Sequence, residues 1–299
     1  MSNAWQYYVL KGMSRIISLL PYSRVLSLGN TLGNLYYRIA ARQRQRALSQ
    51  MRDCLDISAE AAEKTVVSVC RKLGQTFLEV LYSPALTSEN IQDYVTIENR
   101  HYLDQALSDG KGVVLLTAHI GNWEWLGASL AMAGFPLTGV AKRQPNDQHT
   151  RILNENRQRA GIEIFSRGTT EVIGAARALK QGKIVALLAD QDAGSQGLFV
   201  EFFGKMSSTP LGPTIFAKKF KSPVVPAFIV RRPEGGHRVI LHEPMYYQDT
   251  GKTDEDIYSF TTQTTKIIED TIRQYPDEWI WFQKRWNTIK PEERMGEQA

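Results

Sequence analysis

Two continuous apolar runs constrain the fold of this chain more than any other feature of its sequence. They read KGVVLLTA at residues 111–118 and KIVALLAD at residues 183–190. Strands buried on both faces carry such unbroken runs, and both faces are covered mainly in parallel sheets. Stretches with helical spacing that end at a glycine, NWEWLGASLAMAG and TEVIGAARALKQG, lie between the runs. This alternation predicts an α/β domain with a mixed or parallel sheet flanked by helices.

The chain before residue 88 has a different sequence pattern, with predicted helices and no predicted strands. Residues 3–40 predict one or two apolar helices, and residues 58–82 predict a longer amphipathic helix. The first strand patterns appear only after this region, and a last long helix is predicted near the C-terminus, at residues 254–274. We therefore divide the 299 residues into an all-helical region at 1–88 and one α/β domain at 89–299.

The N-terminal helical region combines aromatic and basic residues. Basic side chains interrupt its apolar stretch, so no run reaches the roughly 18 apolar residues that a spanning helix needs. No short apolar core with a small-residue cleavage site is present, so we expect no cleaved signal peptide. Trp5, Tyr7 and Tyr8 resemble an interfacial aromatic belt. A basic cluster follows, with members Arg38, Arg42, Arg44 and Arg46.

Two structures are compatible with this N-terminal region. An amphipathic segment with basic flanks can lie in the headgroup layer of a membrane, where the basic cluster gives a second anchoring signal. The alternative is a helical hairpin packed on the protein's own core. We expect membrane attachment.

The overall charge of the chain excludes few classes of binding partner. A net charge of +5 and a pI of about 9.1 fit an anionic membrane, an acidic partner protein, a phosphate-bearing substrate or a nucleic acid. Basic residues are dispersed after residue 46, and no nucleic-acid-binding motif is present, so no nucleic-acid partner is expected. Cys54 and Cys70 match no zinc or redox spacing, and we interpret them as reduced thiols.

A titratable pair follows the first apolar run, in LLTAHIGNWEWLG at residues 115–127. Functional groups of open α/β sheets collect at the carboxyl ends of strands, which is where His119 falls. On one continuous helix His119 and Glu124 would lie about 140° apart, because each residue turns the helix by about 100°. They can meet only if His119 lies in the turn before the helix, and Gly121 and Asn122 suit such a turn.

In that geometry Glu124 could accept a hydrogen bond from one imidazole nitrogen of His119. The other nitrogen could then take a proton from a hydroxyl group as the hydroxyl attacks a carbonyl. The alternative is a histidine that caps the helix beside a surface glutamate. The spacing alone slightly favours this second interpretation.

The block HIGNWE closely resembles the signature of the lipid A late acyltransferases, the lauroyl and myristoyl transferases of the glycerolipid acyltransferase superfamily. The resemblance covers about residues 100–290 and continues through ordered blocks, which make it far more specific than one motif. These further blocks are VAKRQPN (140–146), RQRAG (157–161), LLADQD (187–192), VEFFGKMSSTPLGP (200–213), PVVPAFIVR (223–231) and YPDEWIWFQKRW (275–286).

The resemblance implies a glycerolipid-acyltransferase-like fold and a specific reaction. A fatty acyl chain would move from acyl carrier protein, or from acyl-CoA, to a hydroxyl of a lipid A precursor. His119 would be the general base and Glu124 would orient it, without a covalent enzyme intermediate, a cofactor or a metal. The expected location is the cytoplasmic side of the cell inner membrane.

Further residues gain candidate roles from the same resemblance. Arg143 suits a phosphate or the phosphopantetheine arm of the carrier, although a solvated loop residue is the alternative. Asn122 is a candidate oxyanion donor, and a helix cap is an equal alternative. Asp190 and Gln191 are expected to shape the site. Asp190 and Asp192 alone could also suggest a metal site.

The block FFGK at 202–205 predicts a loop beside the acceptor. Phe203, Gly204 and Thr209 are the candidate substrate-binding residues of this loop, and Phe203 is equally plausible as a core residue. In the C-terminal block, Trp279 and Trp281 look interfacial, with core packing as an alternative for Trp281.

Three departures from the family pattern concern the acceptor and the acyl length more than the reaction. The N-terminal stretch contains interior basic residues, QMRDCLDIS replaces an expected apolar motif, and Gln283 stands where the family often has His. One alternative function is therefore acyl transfer to another glycolipid or to a lysophospholipid. The other is lipid binding without catalysis, which the intact His119 and Glu124 disfavour.

Overall fold

The computed structural model describes residues 4–141, 147–166 and 169–289. Its central feature is a seven-stranded mixed sheet with helices on both faces, accompanied by a separate β-hairpin. The helices are α1 (Ala4–Ile17), α2 (Tyr22–Ile39), α3 (Ala41–Cys54), α4 (Ala59–Tyr82), α5 (Ile91–Tyr94), α6 (Arg100–Ser108), α7 (Trp123–Met132), α8 (Asp147–Arg159), α9 (Thr169–Lys180), α10 (Gly212–Phe220) and α11 (Thr253–Gln274). The strands are β1 (Val95–Glu98), β2 (Val113–Thr117), β3 (Leu137–Ala141), β4 (Glu163–Ser166), β5 (Ile184–Leu188), β6 (Leu198–Phe202), β7 (Lys205–Thr209), β8 (Val224–Arg231) and β9 (His237–Leu241).

The sheet has the strand order β1-β9-β8-β2-β5-β3-β4. All neighbours are parallel except β8 and β9, which form an antiparallel pair. The predicted mixed α/β sheet flanked by helices is therefore confirmed. Strands β6 and β7 form the separate antiparallel hairpin.

The first apolar run of the sequence forms the central strand. β2 lies between β5 and β8, and all five of its residues are buried. Helices cover both of its faces, which explains why the run contains no alternating polar residue. The second run forms β5, directly beside β2. The carboxyl ends of these two parallel strands therefore meet at the same edge of the sheet.

The N-terminal helices agree with the sequence prediction. The predicted apolar segment forms α1 and α2, and its break lies at Pro21. Ser58 caps α4 by accepting a hydrogen bond from the backbone N–H of Ala61 at 3.2 Å. Among the helices that the structure describes, none combines the length and the apolar content that a bilayer crossing requires.

Glycines occupy the point where α2 and α4 cross, so the backbones of the two helices touch there. A Cβ atom on Gly33 would lie 2.3 Å from the carbonyl oxygen of Cys70, and one on Gly74 would lie 2.2 Å from that of Gly29. Real Cβ atoms do not approach so closely, so any larger residue would push the helices apart. The crossing holds α2 against α4, and α4 in turn is tied to the α/β domain by its ion pairs with Glu278 and Arg231.

Helices α1 and α2, with the segment between them, expose large apolar side chains to solvent. We call this surface the outer apolar face, and the exposure of Leu19 reaches 85%. Tyr7 was expected in an aromatic belt, but it is buried, and its hydroxyl donates to Glu155 of α8 at 2.7 Å. The members of the outer apolar face are Trp5, Tyr8, Val9, Met13, Ile16, Leu19, Leu28, Leu32, Leu35 and Ile39.

Candidate active site

The turn between β2 and α7 is built around a glycine in the left-handed region. Gly121 has a φ of +58°, and a Cβ atom there would lie 2.2 Å from the carbonyl oxygen of Ile229 in β8. Only glycine satisfies both restrictions. The N–H of Gly121 donates to the carbonyl oxygen of Glu278 at 2.9 Å. The turn is therefore pressed against the sheet and the C-terminal segment.

Asn122 is the N-cap of α7. Its Oδ1 accepts a hydrogen bond from the N–H of Trp125 at 3.1 Å, and its Nδ2 donates to Oε2 of Glu79 at 2.9 Å. The side chain is fully buried. Because both polar atoms are engaged inside the protein, this arrangement favours the helix-cap interpretation of Asn122 over that of a substrate-binding oxyanion donor.

His119 lies in this turn, where the sequence placed it, and its partner is Asp190. The Nδ1–H group of His119 donates to Oδ1 of Asp190 at 2.8 Å, and the backbone N–H of His119 donates to Oδ2 at 3.0 Å. The strand register explains the meeting, since Thr117 of β2 is paired with Leu188 of β5. His119 and Asp190 each follow their paired residue by two positions.

Asp190 is fixed by two further donors from the C-terminal segment. The indole N–H of Trp279 and the side-chain amide of Gln283 donate to its Oδ2 at 2.8 Å and 3.0 Å. Burial alone would raise the pKa of Asp190, but the charge and hydrogen bond of His119, with these two donors, hold that pKa well below its usual range. Asp190 is therefore an ionised acceptor beside the imidazole.

The pKa of His119 responds to two opposed influences. Burial lowers the pKa, but the charge and hydrogen bond of Asp190 and the more distant charge of Glu124 together raise it above the ordinary value of 6.5. A carboxylate can only accept, so neutral His119 carries its proton on Nδ1 and leaves Nε2 as an acceptor. The side-chain amide of Gln191 lies 3.4 Å from Nε2, and the ring of Trp123 packs 4.9 Å from the imidazole.

Glu124 does not contact the imidazole, which corrects the expected hydrogen bond between them. It lies in the first turn of α7, as predicted, but its carboxylate accepts two hydrogen bonds from Arg157 of α8, at 2.6 Å and 2.8 Å. Two causes explain the difference. The planar guanidinium matches both carboxylate oxygens, and Asp190 already occupies Nδ1 of His119. The charge of Glu124 still acts on His119 from a distance.

The block at 202–205 packs mainly inward. Phe203 is buried, and its backbone N–H donates to Glu269 at 2.6 Å. Thr209 is also buried, and its hydroxyl accepts from Arg285 at 2.6 Å. This placement favours the core interpretation of Phe203, and the burial of Thr209 differs from its expected contact with the acceptor. Gly204 is exposed at the β6–β7 turn, with a φ of +72°, and Lys205 beside it is exposed as well.

Other predicted residues have varied outcomes. Arg143 lies outside the described residues. Asp192 is partly buried and accepts a hydrogen bond from Thr288 at 2.8 Å. Trp279 and Trp281 are fully buried, so the interfacial interpretation of both is wrong. In the described ranges, no three His, Cys, Asp or Glu side chains are grouped closely enough to hold a metal ion.

Three site residues were missed by reasoning from sequence. Arg157 binds a carboxylate 33 positions away, and Trp279 and Gln283 reach Asp190 across 89 and 93 positions. No local spacing reveals such distant pairs. The only signal available was that all three fall in the sequence blocks RQRAG and YPDEWIWFQKRW.

Three backbone N–H groups of the turn, those of His119, Ile120 and Gly121, already have acceptors. Those of His119 and Gly121 donate to Asp190 and Glu278, and that of Ile120 donates to the carbonyl oxygen of Ala118 at 2.8 Å. These three groups are therefore not free to stabilise negative charge that develops beside Nε2. The side-chain amide of Gln191 lies at the right place for it. The site thus pairs a proton acceptor with a neutral hydrogen-bond donor.

The chain resembles known proteins over most of its length. The chain matches the family model for bacterial lipid A biosynthesis acyltransferases over residues 1–288. It is 27% identical over 224 residues to a phosphatidylinositol mannoside acyltransferase of Mycolicibacterium smegmatis, covering 73% of this chain and 71% of the relative. It is 23% identical over 294 residues to the lipid A biosynthesis lauroyltransferase of Escherichia coli, covering 96% and 93%. A palmitoleoyltransferase of lipid A biosynthesis from the same organism is 23% identical over 273 residues, covering 90% and 87%.

Proposed function

Because the chain belongs to the bacterial lipid A biosynthesis acyltransferase family, we propose that it transfers a fatty acyl chain from a thioester to a hydroxyl of a lipid A precursor. The thioester donor is acyl carrier protein or acyl-CoA. One observation carries the proposal. Nδ1 of His119 is held by an ionised Asp190, while Nε2 is directed to a partly open site with no charged partner.

The residues supply a general base for direct transfer. Nε2 of His119 takes the proton of the acceptor hydroxyl while the hydroxyl oxygen attacks the thioester carbonyl carbon. The carbon–sulfur bond of the resulting tetrahedral intermediate breaks, and the departing thiolate takes the proton back from the imidazolium. Asp190 stabilises the imidazolium between these steps, and it keeps its own charge throughout. The products are an ester and a free thiol.

Gln191 is the proposed donor to the oxyanion of that intermediate. Its amide lies 3.4 Å from Nε2 of His119 in this structure, so a carbonyl oxygen bound beside the imidazole falls within its reach. The backbone N–H groups of His119, Ile120 and Gly121 are engaged elsewhere. A neutral amide suits this role because it stabilises developing negative charge without lowering the pKa of the base.

Glu124 contributes to catalysis indirectly, without a contact to the imidazole of His119. Its charge helps to raise the pKa of His119, and it holds Arg157 at the edge of the site. Asp190 takes the orienting role first expected of Glu124. Arg143 remains the candidate for binding a phosphate or the phosphopantetheine arm of the donor.

The relatives are named for two different acceptors, which gives a second candidate acceptor for this chain. The phosphatidylinositol mannoside acyltransferase of Mycolicibacterium smegmatis is 27% identical, whereas the lauroyltransferase of Escherichia coli, named for lipid A biosynthesis, matches over 96% of this chain. Another glycolipid is therefore the alternative acceptor. Lipid binding without catalysis is less well supported, because the His119–Asp190 pair has the geometry of a working base.

We propose attachment to the cytoplasmic side of the cell inner membrane through the outer apolar face. This face places exposed apolar side chains beside the basic cluster at Arg38–Arg46. Apolar burial and attraction to anionic lipids reinforce each other at an interface. The acceptor of the proposed reaction is a lipid, so a membrane surface would deliver it to the site.

The test combines lipid analysis with one substitution. Mass spectrometry of lipids from cells with and without the protein should show that one acyl group is missing from lipid A in its absence. Complementation with His119→Ala should fail to restore that group at equal protein levels. Unchanged lipid A with a changed glycolipid would identify the alternative acceptor. Full complementation by His119→Ala would contradict the proposed mechanism.

A further inference from the structure

A second buried ionic cluster lies behind the turn, and the proposed reaction does not use it directly. Its centre is Glu79 of α4, which is 0% exposed. Arg231 of β8 binds both carboxylate oxygens, at 2.6 Å and 2.9 Å. Oε1 also accepts hydrogen bonds from the hydroxyl of Tyr22 at 2.7 Å and from Nε2 of His237 at 3.0 Å. Oε2 accepts from Nδ2 of Asn122 at 2.9 Å.

This cluster is an expensive way to stabilise a fold. A buried ion pair loses hydration that its mutual attraction barely recovers, and apolar replacements are often as stable. Two polar atoms of the cluster, Nε of Arg231 and Nδ1 of His237, have no hydrogen-bond partner among the residues that the structure describes. Stability alone therefore gives a poor account of why charged groups occupy this position.

The position of Glu79 suggests a different reason. Through Nδ2 of Asn122, the carboxylate holds the residue that caps α7. Through its backbone carbonyl oxygen, Glu79 also accepts a hydrogen bond from the indole of Trp125 at 3.2 Å. One residue of α4 therefore holds both the cap and the first turn of the helix that follows His119.

The other end of the turn is held by different groups. The backbone N–H of His119 donates to Asp190, and its carbonyl oxygen accepts from the N–H of Ile280 at 3.3 Å. Only two residues separate His119 from Asn122. A shift of the cap must therefore be absorbed by these two residues or by the imidazole. The backbone of Gly121 is packed directly against the carbonyl oxygen of Ile229, so it has little room to absorb such a shift.

We infer that Glu79 is a positioning residue, and that the chain Arg231–Glu79–Asn122 holds the turn on which His119 meets Asp190. This inference rests on the proposed role of His119 as the base. Arg231 keeps the carboxylate ionised and in one orientation, and the carboxylate holds the amide of Asn122. None of the three touches the reacting atoms. Their loss should slow the chemical step without weakening substrate binding.

The decisive variant is Asn122→Ser. Serine is a good N-cap, so the helix keeps an acceptor for the N–H of Trp125, but the amide that reaches Glu79 is lost. The matched control is Tyr22→Phe, which also removes one hydrogen bond from the Glu79 carboxylate but on Oε1, away from the turn. Both variants are compared with the wild-type full chain for thermal stability, kcat and KM.

We expect kcat of Asn122→Ser to fall about 10- to 100-fold with KM changed less than about twofold, because displacement of a catalytic group by about 1 Å has effects of this size. Tyr22→Phe should keep kcat within about twofold at a similar loss of melting temperature. If kcat falls equally in the two variants, or stays at the wild-type level in both, the inference is wrong.

A spectroscopic measurement separates this inference from the proposed function. NMR of histidine-labelled protein reports the Nδ1 proton and the pKa of His119 whether or not acyl transfer occurs. Asn122→Ser should weaken the Nδ1–Asp190 hydrogen bond and lower the pKa of His119, while Tyr22→Phe should leave both unchanged. An altered His119 signal with no acyl transfer in the wild-type protein would overturn the proposed function alone. An unaltered signal in Asn122→Ser would overturn the positioning role.

Discussion

Nδ1 of His119 and Oδ1 of Asp190 are joined by a 2.8 Å hydrogen bond although 71 positions separate the two residues in the chain. The bond exists because β2 and β5 are neighbours in register, and each residue follows its strand at the same edge of the sheet. It determines the tautomer, the orientation and the basicity of the imidazole together. The first prediction therefore concerns this pair.

Asp190→Asn should reduce kcat about 100- to 1000-fold, because the amide cannot stabilise the imidazolium and can select the wrong tautomer. It should also change the pH profile. Asp190 raises the pKa of His119, and a general base is active when unprotonated, so wild-type activity rises as pH passes through a pKa above 6.5. In Asp190→Asn the rise should move to lower pH. A pH profile of kcat/KM that keeps its midpoint would contradict this assignment.

Glu124→Gln should leave Arg157 as an unpaired charge in a mostly buried place, with 17% of its side chain exposed. Breaking such a pair should lower the free energy of unfolding by about 3 kcal/mol. The double variant Glu124→Gln with Arg157→Gln should recover part of that loss, because no charge is left unpaired. Chemical denaturation of the two single variants and the double variant measures this coupling.

The same Glu124→Gln variant tests the catalytic part of the glutamate. Since the charge of Glu124 raises the pKa of His119, the midpoint of the activity profile should move to lower pH. The fall in kcat should be smaller than in Asp190→Asn, because Glu124 makes no hydrogen bond with the imidazole. A loss of kcat larger than that of Asp190→Asn would instead favour a direct contact between Glu124 and His119 during the reaction.

Gly74→Ala should force α2 and α4 apart. The new Cβ atom would lie 2.2 Å from the carbonyl oxygen of Gly29, a backbone atom that cannot rotate away. Overpacking of this kind should lower the free energy of unfolding by about 1–3 kcal/mol. Gly12→Ala is the matched control, because no atom lies within 4 Å of its new Cβ atom and alanine favours the helix. Equal melting temperatures for the two variants would contradict the close crossing.

Leu19→Ser with Ile39→Ser should weaken binding to vesicles that contain anionic lipid. Both side chains are largely exposed on the outer apolar face, and loss of each should reduce the partition constant about tenfold. Tyr258→Ser, which removes an exposed side chain from α11, is the control and should bind as the wild type does. Cosedimentation with vesicles measures all three proteins. Unchanged binding of the double variant would exclude the outer apolar face as the attachment surface.

Local sequence patterns were sufficient to predict the strands, the turn and the helix that carry the site. The unbroken apolar runs identified β2 and β5, and the position of His119 after a strand identified the turn. The angular argument was also sound, since His119 lies before α7 and Glu124 in its first turn. The ordered blocks identified the family, which the match over residues 1–288 confirms.

Tertiary structure decided which side chains meet. The placement of β5 beside β2 gave His119 the carboxylate of Asp190, and the packing of α8 against α7 gave Glu124 to Arg157. Helix α4 passes behind the turn, and its Glu79 accepts a hydrogen bond from Asn122. Asn122, a candidate substrate donor in the sequence, is therefore a buried helix cap. Sequence by itself determines strands, turns and caps because their interactions span a few residues. Partners are determined by strand order, register and helix packing, which depend on contacts across the whole chain.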